Sequence, residues 1–188
     1  MKRRWVWSLL ALVAIDGLLG CWWWWHQRRE HRYDVAILAA ARRYGVDPAL
    51  VKAVVWRESA FDARAFGRAE EHGLMQIRED AAREWVDAER VTTFQLEHLF
   101  NPETNTLAGA WYLHKLLRRY DRTDNPLPYA LADYNAGRGR VLQWNQGAAA
   151  TNSRTFIAQI GFPGTQHYVQ AVMQRQLHYQ PQFAKDSR

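Results

Sequence analysis

Leu50, Val51, Val54 and Val55 recur at the spacing of an α-helix, and Asp47-Pro48 just before them reads as an N-cap followed by proline at the first helical position. One face of that helix is expected to be buried. Glu58 continues the same stripe, four residues after Val54 and three after Val55. A lone carboxylate in such a position is expected to be partly desolvated, which raises its pKa toward the range a general acid needs near neutral pH.

The same patterning predicts helices along most of the remaining chain. Asp34 caps a helix running through Tyr44, with Val35, Ile37, Leu38 and Ala41 at core spacing and Gly45 suited to the C′ position. Residues 59–72 lack clean periodicity and read as a loop wrapping the front of the Glu58 helix. A helix over about 80–86 and a loop around Thr92-Thr93 follow. Asn101-Pro102 caps and opens a long helix through Tyr120, whose buried face is supplied by Leu107, Ala110, Trp111, Leu113, Leu116 and Leu117. Pro126 opens a helix ending at Gly137, residues 138–144 form a short one, and residues 146–155 read as an exposed loop. Thr165 is placed as cap of the last helix, and the polar tail over 181–188 is expected to fray. The expected fold is mainly α, a helical domain over residues 33–182 behind an N-terminal hydrophobic segment over residues 1–29.

That segment begins with Lys2, Arg3 and Arg4, continues as a largely apolar run, and ends in Trp22 to Trp25 with Arg28 and Arg29 beyond. The run is long enough to span a bilayer as a helix, with the tryptophans at the interface. A second reading stays open, because Leu18-Leu19-Gly20-Cys21 resembles a lipobox in which Cys21 is lipidated after cleavage. The spanning helix is the preferred reading. Both place the helical domain in the periplasm or outside the cytoplasmic membrane, tethered to a membrane of the cell envelope. Cys21 is the one cysteine of 188 residues, so no internal disulfide can form.

The formal charge of +6 could suggest nucleic acid, so its location matters. Residues 1–29 hold five basic side chains against Asp16, leaving 20 basic and 18 acidic for the remainder. The helical domain is close to neutral, and a nucleic-acid partner loses its main support. The seven histidines include no HExxH and no pair at i, i+4, so no metal is implied.

By periodicity alone, Glu58 reads first as a solvated residue or a salt-bridge partner of Arg57 or Arg64. The surrounding motifs change that. Glu58-Ser59, Gly73-Leu74-Met75-Gln76 and Asp133-Tyr134-Asn135-Ala136-Gly137 stand in the order and approximate spacing of three signatures of the soluble-lytic-transglycosylase, goose-lysozyme-like family. The chain resembles that family over roughly residues 33–180. The resemblance implies a lysozyme-like fold, no cofactor, and peptidoglycan glycan strands as substrate, with Glu58 catalytic. It implies substrate-binding positions at Ser59, Met75, Gln76, Tyr134, Asn135 and Tyr168. Four of these have a plainer alternative: Ser59 bonds the helix backbone, Met75 fills the core, Tyr134 is buried with one partner, and Asn135 caps a helix.

Two departures from the family pattern stand out. Asp133 replaces the usual alanine and reads as non-catalytic, being about 100° around the helix from Tyr134. Gly164 stands where the family has glutamate before its closing Tyr-Val, here Tyr168-Val169. The resemblance implies non-hydrolytic cleavage of the β-1,4 bond between N-acetylmuramic acid and N-acetylglucosamine. The alternatives are a hydrolytic lysozyme and a non-catalytic wall-binding scaffold; protein partners are not legible.

Overall fold

The computed structural model describes residues 15–21, 23, 24 and 27–184, which fall into two compact units dividing after Asp34. The start of the apolar segment, residues 1–14, lies outside the described residues, as do Trp22, Trp25, His26 and residues 185–188. Among the described residues no helix is long and apolar enough to cross a membrane. Ile15, Leu18, Leu19, Trp23 and Trp24 of the first unit are exposed, as is Cys21.

The second unit is built from helices: α1 (Asp34–Tyr44), α2 (Pro48–Ser59), α3 (Glu79–Glu89), α4 (Pro102–Arg119), α5 (Leu127–Ala136), α6 (Arg138–Trp144), α7 (Ser153–Gln159) and α8 (Pro163–Phe183). Short 3₁₀ turns at Leu96–Phe100 and Gly147–Ala150 precede α4 and α7. Among the described residues extended structure is limited to two antiparallel bridges, Phe66 with His72 and His72 with Ile77.

Local chemistry sets several boundaries as expected. Asp47 Oδ1 accepts from Ala49 N at 2.9 Å, and Asn101 Oδ1 accepts from Glu103 N at 2.9 Å and Thr104 N at 3.1 Å, which satisfies donors that a helix start leaves orphaned. Gly45 follows α1 at φ +63°. Other expectations need correction. The α3 helix runs a turn longer than predicted, closing on Arg90 at φ +55°. The supposed loop over 146–155 contains a 3₁₀ turn and the start of α7, because Asn152 Oδ1 accepts from Thr155 N. Val35, placed in the core by periodicity, is 85% exposed, while Ala40 is buried in its stead. Pro181 lies inside α8, which continues to Phe183 where fraying was expected.

The core gathers around α2 and α5. The α2 helix packs most extensively against α8, and α5 contacts α4, α6, α7 and α8. Residues 49–55 of α2 and 128–133 of α5 are buried without interruption. A helix buried on all sides occupies a domain centre, so the single-face expectation for α2 understated its burial. Even Lys52 is enclosed, its ammonium 2.9 Å from Gln182 Oε1 and over the Tyr179 ring. Asp47 Oδ2 accepts from Gln176 Nε2 at 2.7 Å, adding a second polar tie between α2 and α8. The last turns of these two central helices carry Glu58 and Asp133.

Candidate active site

The α2 helix ends abruptly after Glu58 and Ser59. Ala60 and Phe61 both adopt left-handed backbone, φ +48° and +64°, a conformation costing a non-glycine residue about 1–2 kcal/mol. The turn is stabilised where the Ala60 N–H meets Trp56 O at 3.1 Å. The Ser59 hydroxyl lies within donating distance of Val55 O, at 3.2 Å, and Leu74 O, at 2.8 Å. The plainer expectation for Ser59, a bond to its own helix backbone, agrees with this geometry. The hydroxyl also ties the end of α2 to the Gly73-Leu74-Met75-Gln76 segment.

Glu58 is half-buried, and Tyr168 OH on α8 donates to its Oε1 at 2.6 Å. Burial pushes the carboxyl up to about 7, against the opposing pull of the Tyr168 hydroxyl and the Arg57 charge and with a smaller push from Glu71. Tyr168 is itself 2% exposed, and burial followed by the Glu58 charge holds its hydroxyl well above its ordinary value. The pair therefore shares one proton-rich environment, a neutral phenol beside a carboxyl close to half-protonated at neutral pH. The Arg57 guanidinium lies 5.6 Å from the Tyr168 ring centroid.

The segment after Gly73 is held from below by Asn105, a fully buried side chain on α4. Its Oδ1 accepts from Met75 N, and its Nδ2 donates to His72 O and Leu99 O, each at 2.8 Å. Gly73 sits at φ +71°, where a Cβ would come within 2.3 Å of Leu99 O and 2.5 Å of Asn105 Nδ2, so no larger residue fits. The Met75 side chain is fully buried against Gly109, which corrects its reading as a substrate-binding side chain: it is core filler, and only its backbone faces the site residues. Met75 O accepts from Tyr134 OH at 2.7 Å, so the bond to the acid that Tyr134 could have made belongs to Tyr168. Gln76 adopts φ +48°, and its Nε2 donates to Ala65 O and Gly73 O. Its donor is thus spent on loop structure rather than free for a ligand.

The last turn of α5 forms the opposite wall. Asn135 is exposed, and its Oδ1 accepts from Thr165 Oγ1 at 2.8 Å. Thr165 is therefore not the cap of α8, which starts at Pro163 behind Phe162; it joins α8 to the end of α5. Nor does Asn135 cap α5, since Gly137 does so at φ +80°. Asp133 is 2% exposed, and its Oδ2 accepts from Arg119 Nη1 at 2.6 Å and Tyr120 OH at 2.7 Å. Between the walls lies a cleft of about 390 Å³, with Glu58, Gln76, Tyr134 and Asn135 along its lining and Glu71 and Asp80 at its acidic side.

Tertiary folding thus brings Glu58, Ser59, Gln76, Tyr134, Asn135 and Tyr168 around one cleft or directly behind it, and withdraws Met75. Sequence reasoning missed Asn105, Thr165 and the Arg119 to Asp133 pair. Asn105 carried a usable signal, because it falls in the buried stripe of α4 with Gly109, Leu113 and Leu116, where a polar side chain requires partners.

A family model described as the transglycosylase SLT domain matches residues 35–157. The chain is similar to the membrane-bound lytic murein transglycosylase C of Shigella sonnei (strain Ss046), with 36% identity over 121 residues covering 61% of this chain and 34% of that protein. It is also similar to the membrane-bound lytic murein transglycosylase F of Desulfosudis oleivorans, with 37% identity over 121 residues, 63% of this chain and 25% of the other. Among solved structures, an inactive mutant of the lytic transglycosylase Slt from Pseudomonas aeruginosa superposes with a TM-score of 0.72 at 27% identity, covering 79% of this chain and 24% of that one. The 70 kDa soluble lytic transglycosylase of Escherichia coli gives 0.68 at 26% identity, over 78% and 24% of the two chains. The chain thus spans about a third or a quarter of the length of these relatives.

Proposed function

The chain belongs to the transglycosylase SLT-domain family and has its helical, lysozyme-like fold, and from that premise we propose that it is a membrane-tethered peptidoglycan lytic transglycosylase. The observation that carries the reading is a single poised carboxyl. Glu58 lies in the cleft with its pKa raised to about 7, while Asp133 is committed to Arg119 and Tyr120. A glycosidase working through two carboxylates needs both available on either side of the scissile bond. Glu71 and Asp80 also line this cleft, and the proposed reaction draws on Glu58 alone.

In the proposed reaction the protonated Glu58 gives its proton to the glycosidic oxygen between N-acetylmuramic acid and N-acetylglucosamine as that bond breaks. The substrate's acetamido carbonyl oxygen stabilises the electron-poor anomeric carbon. Glu58, now a carboxylate, takes the proton of the C6 hydroxyl, whose oxygen closes on the anomeric carbon. The acid is thereby regenerated and no water is consumed. Tyr168 donates to Oε1, which favours the carboxylate formed midway and leaves Oε2 to hold the moving proton. Asn105, Ser59 and Tyr134 fix the backbone of residues 73–76 relative to Glu58, and Asn135 faces the cleft where a sugar's polar groups would lie.

Mass spectrometry of muropeptides released from purified sacculi tests the chemistry. The expected products end in 1,6-anhydro-N-acetylmuramic acid and are lighter by one water than hydrolysed equivalents. Predominantly reducing ends would favour the hydrolytic alternative. Tethering is supported by the membrane-bound relatives and by the apolar N-terminal run. Full-length protein is expected in the cell-envelope membrane fraction, and deletion of residues 1–29 should release an active domain. Palmitate labelling lost in Cys21→Ser would establish the lipoprotein reading over the spanning helix.

A further inference from the structure

From Tyr134 to Ala184 the chain carries no aspartate or glutamate, while Arg138 and Arg140 fall within one short helix. That helix, α6, follows the cleft-lining Gly137 and buries Val141 and Trp144. Arg138, Arg140 and Leu142 stand exposed on it. The Arg140 guanidinium lies 4.8 Å from the ring centroid of Phe162, a residue 43% exposed, and its Nη1 makes a long 3.3 Å bond to Gln143 Oε1. Trp144 packs edge to face against Phe162, with ring centroids 5.3 Å apart. The Trp85 indole N–H donates to Tyr44 OH, whereas that of Trp144, a residue 8% exposed, meets no acceptor among the described residues. A Cβ at Gly161 would stand 2.9 Å from the Trp144 Nε1, so the glycine keeps that edge of the indole uncovered.

A buried indole N–H normally finds an acceptor, and an arginine in a carboxylate-free neighbourhood favours an anion; a phosphodiester supplies both. The exposed Phe162 and Leu142 beside these donors add apolar surface, and apolar side chains flanked by arginines suit the boundary between anionic headgroups and acyl chains. A free phosphate would use the donors and leave Phe162 and Leu142 in water. We propose that the face formed by Arg138, Arg140, Leu142 and Phe162 docks on an anionic phospholipid bilayer, with Arg140 and the Trp144 N–H sharing a headgroup phosphate. The inference rests on the proposed membrane tethering and adds to it a resting face, which sets the Gly137 end of the cleft beside the bilayer surface.

The test reads amide hydrogen exchange in full-length protein reconstituted into vesicles of phosphatidylcholine alone and of phosphatidylcholine mixed with phosphatidylglycerol. Residues 161–165 run into the first turn of α8, where backbone donors lack helical partners, so headgroup contact registers there directly. Their exchange is expected to slow in the phosphatidylglycerol vesicles, and Arg140→Gln should reduce that protection about fivefold, one arginine's share of the attraction to an anionic surface. Arg64→Gln, which removes an exposed arginine from the loop after α2, should leave the protection unchanged, and Arg140→Gln should digest lipid-free sacculi at the wild-type rate. Equal exchange in the two vesicle types overturns the docking face, as does an equal effect of Arg64→Gln. Equivalent protection from inorganic phosphate added to phosphatidylcholine vesicles would make this a small-anion site, and slower digestion of sacculi by Arg140→Gln would place the residue in glycan binding; either overturns the proposal. Full-length protein that associates with neither vesicle defeats the tethering itself, a result distinct from all of these.

Discussion

The last turns of α2 and α5 each bring one carboxylate to the same cleft, and the two are held in opposite ways. Glu58 meets a neutral phenol, so burial dominates and its proton is retained up to about pH 7. Asp133 is more deeply buried but meets a guanidinium as well as a phenol. That partner compensates the charge, and the charge in turn acts on its neighbours. Burial followed by the Asp133 hydrogen bond pushes the Tyr120 hydroxyl up, and Tyr112 is pushed up to about 12, again by burial first and Asp133 second. Desolvation alone therefore does not account for the difference between the two carboxyls. What distinguishes Glu58 is desolvation without a cation bonded to it.

The sharpest break of this contrast is the pair Glu58→Gln and Asp133→Asn. The first keeps the shape and removes the proton, so turnover of sacculi should fall by at least about 10²- to 10⁴-fold, with helical circular dichroism unchanged. The same change should raise stability relative to wild type. A carboxyl at about 7 when folded and near 4.5 when unfolded destabilises the native state increasingly as pH rises through that window, so the gain should be absent below pH 4.5 and complete above 7. Asp133→Asn should retain turnover within a few-fold while losing on the order of 1–3 kcal/mol of stability, because Arg119 is left with a weaker partner. A catalytic loss as deep as that of Glu58→Gln would make Asp133 a second catalytic carboxylate and end the contrast.

A smaller effect should come from Tyr168→Phe. Its hydroxyl lowers the Glu58 pKa, so removing it should move the alkaline fall of kcat/KM to higher pH while reducing the maximum. An unshifted profile would mean that another group carries the titration. Smaller still are the opposed charges at the rim. Arg57→Gln should raise the same apparent pKa and Glu71→Gln should lower it, since the first removes a stabilising charge and the second a repelling one. Both shifts should shrink in high salt. Shifts of the same sign would contradict the electrostatic account of Glu58.

Much of this site was legible before folding because its parts are local. Asp47-Pro48 and Asn101-Pro102 specify helix starts through their own hydrogen-bonding and ring geometry, and the apolar stripe of α2 carries Glu58 with it. Gly73 announces a turn. Errors arose where a residue's surroundings come from distant chain. Met75 was ambiguous until Gly109, a glycine on another helix, opened room for its side chain. Thr165 has the chemistry of a cap, yet Asn135 lies closer to hand for its hydroxyl than the start of its own helix does. Val35 fits the α1 periodicity, but the face that packing covers is displaced to Ile37, Ala40 and Ala41.

Sequence alone determined the helical character and the order of the elements and nominated Glu58 as the candidate acid, because periodicity, caps and ordered motifs are properties of neighbouring residues. Only the tertiary structure decided what surrounds each of the two carboxyls. That outcome depends on partners brought from far along the chain, Tyr168 to Glu58 across 110 positions and Arg119 to Asp133 across 14. Desolvation and hydrogen bonding act over a few ångströms of space, and separation along the chain does not reveal which groups will share those ångströms.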